Sequence, residues 1–225
     1  MRINDDFSRS VMVHGSTRKW EPSPAPGVER RKLFRIGDEK ARATSIVRYA
    51  PGSSFAPHEH GGGEEFLVLD GVFQDGQGDY PAGTYVRNPP GSSHAPAAEE
   101  GAMIFVRLWQ FRTDDAEQVV RMPGEGAVVT PRKGGASARI LFEDGHEQVR
   151  LEEWNAGEDI HVENTEGLEV LVVSGQITVD GQELVSQGWI RLPPGEDLNA
   201  SVSKDGAGVW MKMAPLLHEE VCSFR

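Results

Sequence analysis

The chain has 225 residues, 38% of them hydrophobic and 26% charged, with one cysteine and a formal net charge of −12. That length suits one large all-β domain or two of roughly 110 residues each, and neither a membrane-spanning apolar run nor a signal-like apolar core at the first residues is present. The lone Cys222 excludes an internal disulfide framework and fits a reducing cytoplasm, and the negative charge argues against phosphate-backbone binding, so neither nucleic acid nor a membrane is an expected partner. The basic cluster Arg30-Arg31-Lys32 is short and reads as a solvated strand face.

Residues 1–27 are polar and punctuated by Pro22, Pro24, Pro26 and Gly27, which predicts an extended arm; Val11, Val13 and Trp20 are expected to pack parts of it on the body. From residue 28 onward, short runs rich in Val, Ile, Phe, Tyr and Trp alternate with Gly/Pro turns, the pattern of a β-sandwich or barrel. Strands are predicted over 30–36, 42–49, 65–69, 84–88 and 102–109, and again over 138–143, 147–153, 168–173, 176–180, 188–192 and 208–213. Only residues 113–120 and 216–221 look weakly helical. The polar, Gly/Pro-rich stretch 114–135 reads as a linker between a first domain at 28–113 and a second at 136–225.

The two halves repeat. GVFQDGQGDYPAGTYVRNPPG from Gly71 aligns without a gap to GQITVDGQELVSQGWIRLPPG from Gly175, a constant offset of 104 that indicates a duplicated domain.

The chemistry concentrates in the first copy. His58, His60 and Glu64 share strand parity, and His94 follows thirty residues after Glu64. Three imidazoles and a carboxylate converging inside a small barrel make a site for one divalent transition metal. The Gly61-Gly62-Gly63 run can break the register, so Glu65 stays open as an alternative to Glu64. At the 104-residue offset the same four positions are Val162, Asn164, Leu168 and Leu198, none a good ligand. A one-residue shift at Gly157 would instead put Glu163 and Thr165 opposite the histidine pair, with His161 and Glu169 nearby; Leu198 still matches His94. Phe66 and Val68 share Glu64's parity and are expected to line the interior around the metal. Tyr85 and Arg87 are expected on one face near His94, as further pocket candidates. Leu67 and Leu69 face the other way and need covering by a second sheet, the other half of the chain, or a second copy in a homodimer. His218 and Cys222, four apart near the chain end, make a weak second ligand pair.

These residues resemble a known family. Gly52-x5-His58-x-His60-x3-Glu64-x6-Gly71 and Gly83-x5-Pro89-x-Gly91-x2-His94 follow the two cupin motifs in order; Ala98 stands where an asparagine, not a metal ligand, is usual. More narrowly, HEHGGGEEFLVLDGVFQDGQGDYPAGTYVRNPPGSSHAP resembles the ChrR-type cupin domain, named for the zinc-binding C-terminal half of a bacterial anti-sigma factor. The resemblance implies two tandem jelly-roll barrels, the second degenerate, with metal held by His58, His60, Glu64 and His94. It implies zinc or iron first, with manganese or nickel also accommodated, and a small-molecule ligand. Sigma binding in such proteins resides in a separate helical domain with its own zinc-binding His and Cys residues. Here there is no Cys-x-x-Cys, and His14 alone cannot form such a site. Similar cupins also include iron(II) dioxygenases that cleave β-diketones and hydroxyacetophenones, which supplies the alternative expectation of an enzyme.

Overall fold

A computed structural model describes residues 1–38 and 40–216. Among them are twenty-two strands and one 3-10 turn, Gly15–Thr17, so the expected all-β class is the one formed. The described chain divides into two units: Met1–Asp5 with Arg18–Gly124, and Asp6–Thr17 with the residues from Glu125 onward. No helix long and apolar enough to cross a membrane occurs among the described residues.

In the first unit the main sheet runs in the order Arg2–Ile3, Val28–Gly37, Ala41–Tyr49, Ala102–Leu108, Glu64–Asp75, Tyr85–Asn88 and Val119–Arg121. All neighbours are antiparallel. Short strands at Ser53–Ser54, Ala97–Ala98 and Gly78–Pro81 pair with one another or with the far end of Glu64–Asp75, which bends the sheet over. Alternation then sends Phe66, Val68, Val86, Ile104 and Val106 to one buried interior cluster with Phe73 and Tyr80.

The second unit repeats this arrangement. Leu168–Val179 stands for Glu64–Asp75 and Gln182–Val185 for Gly78–Pro81, both at the offset of 104. Its core is Trp154, Ile160, Val162, Leu168, Ile190, Leu198 and their neighbours. The duplication extends to backbone detail. Gly71 and Gly175 both sit at φ +69, and a Cβ there would lie 2.2 Å and 2.1 Å from the carbonyl oxygens of Gly101 and Gly206. Only glycine tolerates both the left-handed backbone and that approach. Gly71→Ala is therefore expected to cost about 3 kcal/mol, read from chemical denaturation. A loss under about 0.5 kcal/mol would mean that the strand relaxes around the methyl group.

Three expectations need correction. The stretch 113–120 is not helical: Asp115 accepts a paired hydrogen bond from Arg87 and also bonds the Glu117 N–H, and the chain then pairs as Val119–Arg121 with Tyr85–Asn88. The stretch 114–135 is no plain linker, since it carries Val119–Arg121 in the first unit and Ala127–Val129 in the second. The arm at 1–27 is also strand-bearing. Arg2–Ile3 and Glu21–Pro22 join the first sheet, while Val11–His14 pairs with Gly188–Leu192 of the second. Val13 is buried, and Trp20 lies under the guanidinium groups of Arg31 and Arg48. The expected helical turn beyond Leu216, with His218 and Cys222, lies outside the described residues.

Candidate metal centre

Each candidate ligand is delivered by a different local device. His58 and His94 face each other as partners of a two-stranded ladder, His58–Glu59 with Ser93–His94. His60 follows at the start of a turn whose glycines lie against two aromatic rings. A Cβ on Gly62 would come within 2.5 Å of Trp109, and one on Gly63, at φ +78, within 2.3 Å of Phe111. The glycine run thus lets the chain pass beneath those rings and enter the long strand at Glu64.

The ligand atoms of His58, His60 and His94 lie within 4.8 Å of one another. The ring centroids are 5.2 Å apart for His58–His60 and His58–His94, and 4.5 Å for His60–His94. Glu64 Oε2 is 3.4 Å from His60 Nε2 and 3.3 Å from His94 Nε2. Glu65 points the other way, into a buried network with Arg107 Nη1 and the Tyr85 hydroxyl.

The hydrogen bonds settle the tautomers. His58 Nδ1 lies 3.1 Å from the Ala56 carbonyl, which can only accept, so Nδ1 carries the proton. His94 Nδ1 lies 3.1 Å from the Asp75 carboxylate, with the same result. His60 Nδ1 lies 3.0 Å from Ser92 Oγ, and that hydroxyl donates its own proton to the Pro89 carbonyl at 2.6 Å, so it accepts from the imidazole. In the neutral form of each ring, Nε2 is then the nitrogen with the lone pair. The Nε2 atoms of His60 and His94 are buried without a hydrogen-bond partner.

The electrostatics agree. Burial drives His60 down to about 3, helped by the neighbouring His94 and His58, so its ring is neutral at any ordinary pH. Burial also lowers His94, against the opposing hydrogen bond to Asp75. Burial raises Glu64 to about 7; the amide of Asn88, 3.4 Å from Oε2, pulls it down, and the charge of Asp75 adds to the rise. Such a cluster has the donor set of a cation site. An ion between the imidazoles and Glu64 would satisfy the lone pairs and hold the carboxylate charged. The residues fit the metal.

Of the other pocket candidates, Phe66 and Val68 sit in the interior core, and Phe73 there approaches His94 at 5.9 Å between rings. Tyr85 and Arg87 do not face the site. The register pairs Arg87 with Glu65 and Asn88 with Glu64, so Val86 and Asn88 point inward while Tyr85 and Arg87 point outward. Tyr85 bonds Glu65, and Arg87 holds Asp115. Tyr85 and Arg87 do share one face, as their common parity implies, but theirs is the parity opposite to Glu64, Asn88 and His94. Sequence reasoning misses Asp75, Asn88 and Ser92; each is an ordinary polar residue in sequence, and only the fold brings it to a ligand.

In the second unit Val162 pairs with Leu198 as His58 pairs with His94, so the 104-residue offset holds and the one-residue shift does not occur. Val162, Leu168 and Leu198 are apolar core, and the Asn164 amide donates to the Pro193 and Glu196 carbonyls.

A cavity of about 440 Å³ opens beside His58, His60 and Glu64. Its wall includes Tyr49, Phe55, Ile104, Val106, Leu108 and Trp109.

Two barrels of this kind, one with three imidazoles and a carboxylate turned inward, define a bicupin. Residues 8–112 match the family described as the ChrR cupin-like domain. No curated protein matches the chain in sequence. Among solved structures it is similar to a candidate dioxygenase from Nostoc punctiforme, with TM-score 0.72 and 15% identity over 97% of this chain and 87% of that one. It is also similar to the bacterial pirin YhhW of Escherichia coli in complex with nickel(II), at TM-score 0.65 and 14% identity over 92% and 100% of the two chains. Oxalate decarboxylase of Bacillus subtilis, whose Mn(II) centres are named with its structure, aligns at TM-score 0.59 and 14% identity over 92% and 78%. At such identities the likeness speaks to the fold.

Proposed function

We propose that the protein binds one divalent transition-metal ion through His58, His60, His94 and Glu64, and a small molecule beside it, as a ChrR-type binding or sensing module. The observation that carries this is the set of hydrogen bonds that engages Nδ1 of all three rings, in a cluster whose ligand atoms lie within 4.8 Å of one another. Zinc or iron is the first expectation, with manganese and nickel accommodated by the same ligands. The nickel(II) and Mn(II) of structurally similar proteins are consistent with that range. A bound ion supplies Lewis acidity and, if it is iron, one-electron chemistry. The protein's part is to hold the rings: Ala56, Ser92 and Asp75 fix their tautomers, Asn88 steadies Glu64, and Gln118 donates to Asn88 at 3.2 Å.

A second reading, an iron(II)-dependent dioxygenase acting on a diketone-like or hydroxyketone molecule, is favoured by the cavity, which an ion of purely structural role would not need. The test is anaerobic reconstitution of metal-stripped protein with zinc, iron(II), manganese(II) or nickel(II), followed by elemental analysis. The wild type is expected to keep one ion per chain, and His60→Ala and His94→Ala none. Retention of none of the four by the wild type sinks the proposal. Oxygen uptake by the iron-loaded protein on a diketone panel then favours the enzyme, and silence across the panel favours the binding module.

A further inference from the structure

The cavity beside the histidines has a cationic wall, and a local irregularity in one strand puts it there. Along Val28–Gly37, Arg30 pairs with Val47 and Lys32 with Ser45, so these alternate residues face the interior. A bulge between Lys32 and Phe34 inserts one extra residue, and beyond it Arg35, not an even-numbered residue, pairs with Ala43 and faces inward. On the next strands Val47 pairs with Ile104 and Ser45 with Val106, all on the cavity wall. Arg30 and Arg35 therefore line the same cavity as His58, His60 and Glu64. Arg35 also donates to the Asp38 carbonyl, and Lys32, on the same face, is bound to Glu21 at 2.7 Å. The cavity's carboxylates are Glu64, beside the imidazoles, and Glu59, which is exposed. The two guanidinium groups share this wall with Ser23, Ser45 and Tyr49 as well as with apolar side chains, and the planar five-donor fork of arginine matches a carboxylate entering the cavity even where one donor is already engaged.

We propose that the cavity takes a small organic acid. Its carboxylate meets Arg30 and Arg35, its apolar body lies along Tyr49, Phe55, Ile104 and Val106, and its far end reaches the imidazole cluster. The inference rests on the metal reading only for what that far end meets; recognition of the carboxylate stands on the arginines alone. The bulge is then the specificity device, since without it Arg35 would face outward.

Isothermal titration of phenylacetate, phenylpyruvate and 4-phenylbutyrate, with the matching neutral amides as controls, tests this on metal-stripped and metal-loaded protein, with metal content measured on every sample. At least one acid is expected to bind, its amide about tenfold or more weakly. Arg30→Gln and Arg35→Gln are expected to remove that preference, while Arg31→Gln, whose side chain lies over Trp20 on the opposite face, keeps it. Should Arg35→Gln fail to fold, Arg30→Gln and the acid–amide comparison decide. Equal binding of acid and amide, unchanged binding by a folded Arg30→Gln, or no acid bound overturns the proposal. Acid binding by protein that retains no ion after reconstitution overturns the metal reading and leaves this one standing; metal retained with no acid bound does the reverse.

Discussion

Glu65→Gln is expected to destabilise the protein by about 3–5 kcal/mol, while Glu64→Gln, one residue earlier, is expected to stabilise the metal-free protein at about pH 8 by about 3 kcal/mol. The two side chains leave the same strand on opposite faces. Glu65 is 1% exposed and pairs with Arg107, itself 2% exposed; neutralising it strands a buried guanidinium. Glu64 faces lone pairs. Burial raises it from 4.5 to about 7, so the folded chain holds its proton more tightly than the unfolded chain does. Below 4.5 both states are protonated and the substitution changes little. As pH climbs from there to about 7, the wild type loses stability that Glu64→Gln keeps, and above that the difference is constant. Denaturant titrations in chelator across this range measure both. A Glu64→Gln protein no more stable than the wild type at about pH 8 would show that the carboxyl carries no desolvation penalty.

The second large effect is on metal affinity and comes from a residue that touches no metal. Asp75→Ala is expected to weaken binding by about 10–100-fold, measured by competition with a chromophoric chelator. Asp75 is nearly buried; it accepts from His94 Nδ1 at 3.1 Å and from the Tyr80 hydroxyl at 3.1 Å. Its loss frees the ring to turn and removes the charge that strengthens Nε2 as a donor. Ser92→Ala, which deletes a neutral acceptor from His60, should cost less. Unchanged affinity in Asp75→Ala would mean that the barrel wall alone orients His94.

Much of this site is legible in the sequence because it is local. His58-x-His60 and Glu64 are within seven residues, and the two-residue ladder that brings His94 to His58 is announced by Pro-Pro-Gly before it. The duplication is legible too, since a gap-free offset of 104 survives in both strands and turns. Long-range register is not. Which of Tyr85 or Val86 faces inward depends on their pairing with Leu67 and Phe66, and the shared parity of Tyr85 and Arg87 says that they lie on one face without saying which. Arg30 reads as part of a solvated basic cluster, and Arg35 goes unremarked, because a bulge is invisible to a period of two. Asp75, Asn88 and Ser92 stay hidden for the same reason: their roles are set by partners, not by spacing.

The strand at Val11–His14 has a consequence for how the protein is made and cut. Val13 pairs with Trp189, so the edge of the second barrel is closed by residues synthesised 176 positions before their partner. Until then that segment waits unpaired. A fragment begun at Glu125, the natural place to excise the second barrel, would lack it and leave Gly188–Leu192 as an open edge able to recruit a neighbour's strand. Supplying residues 6–17 as a separate peptide is the way to close it again, so that part of the arm is, for the second barrel, a piece of its wall.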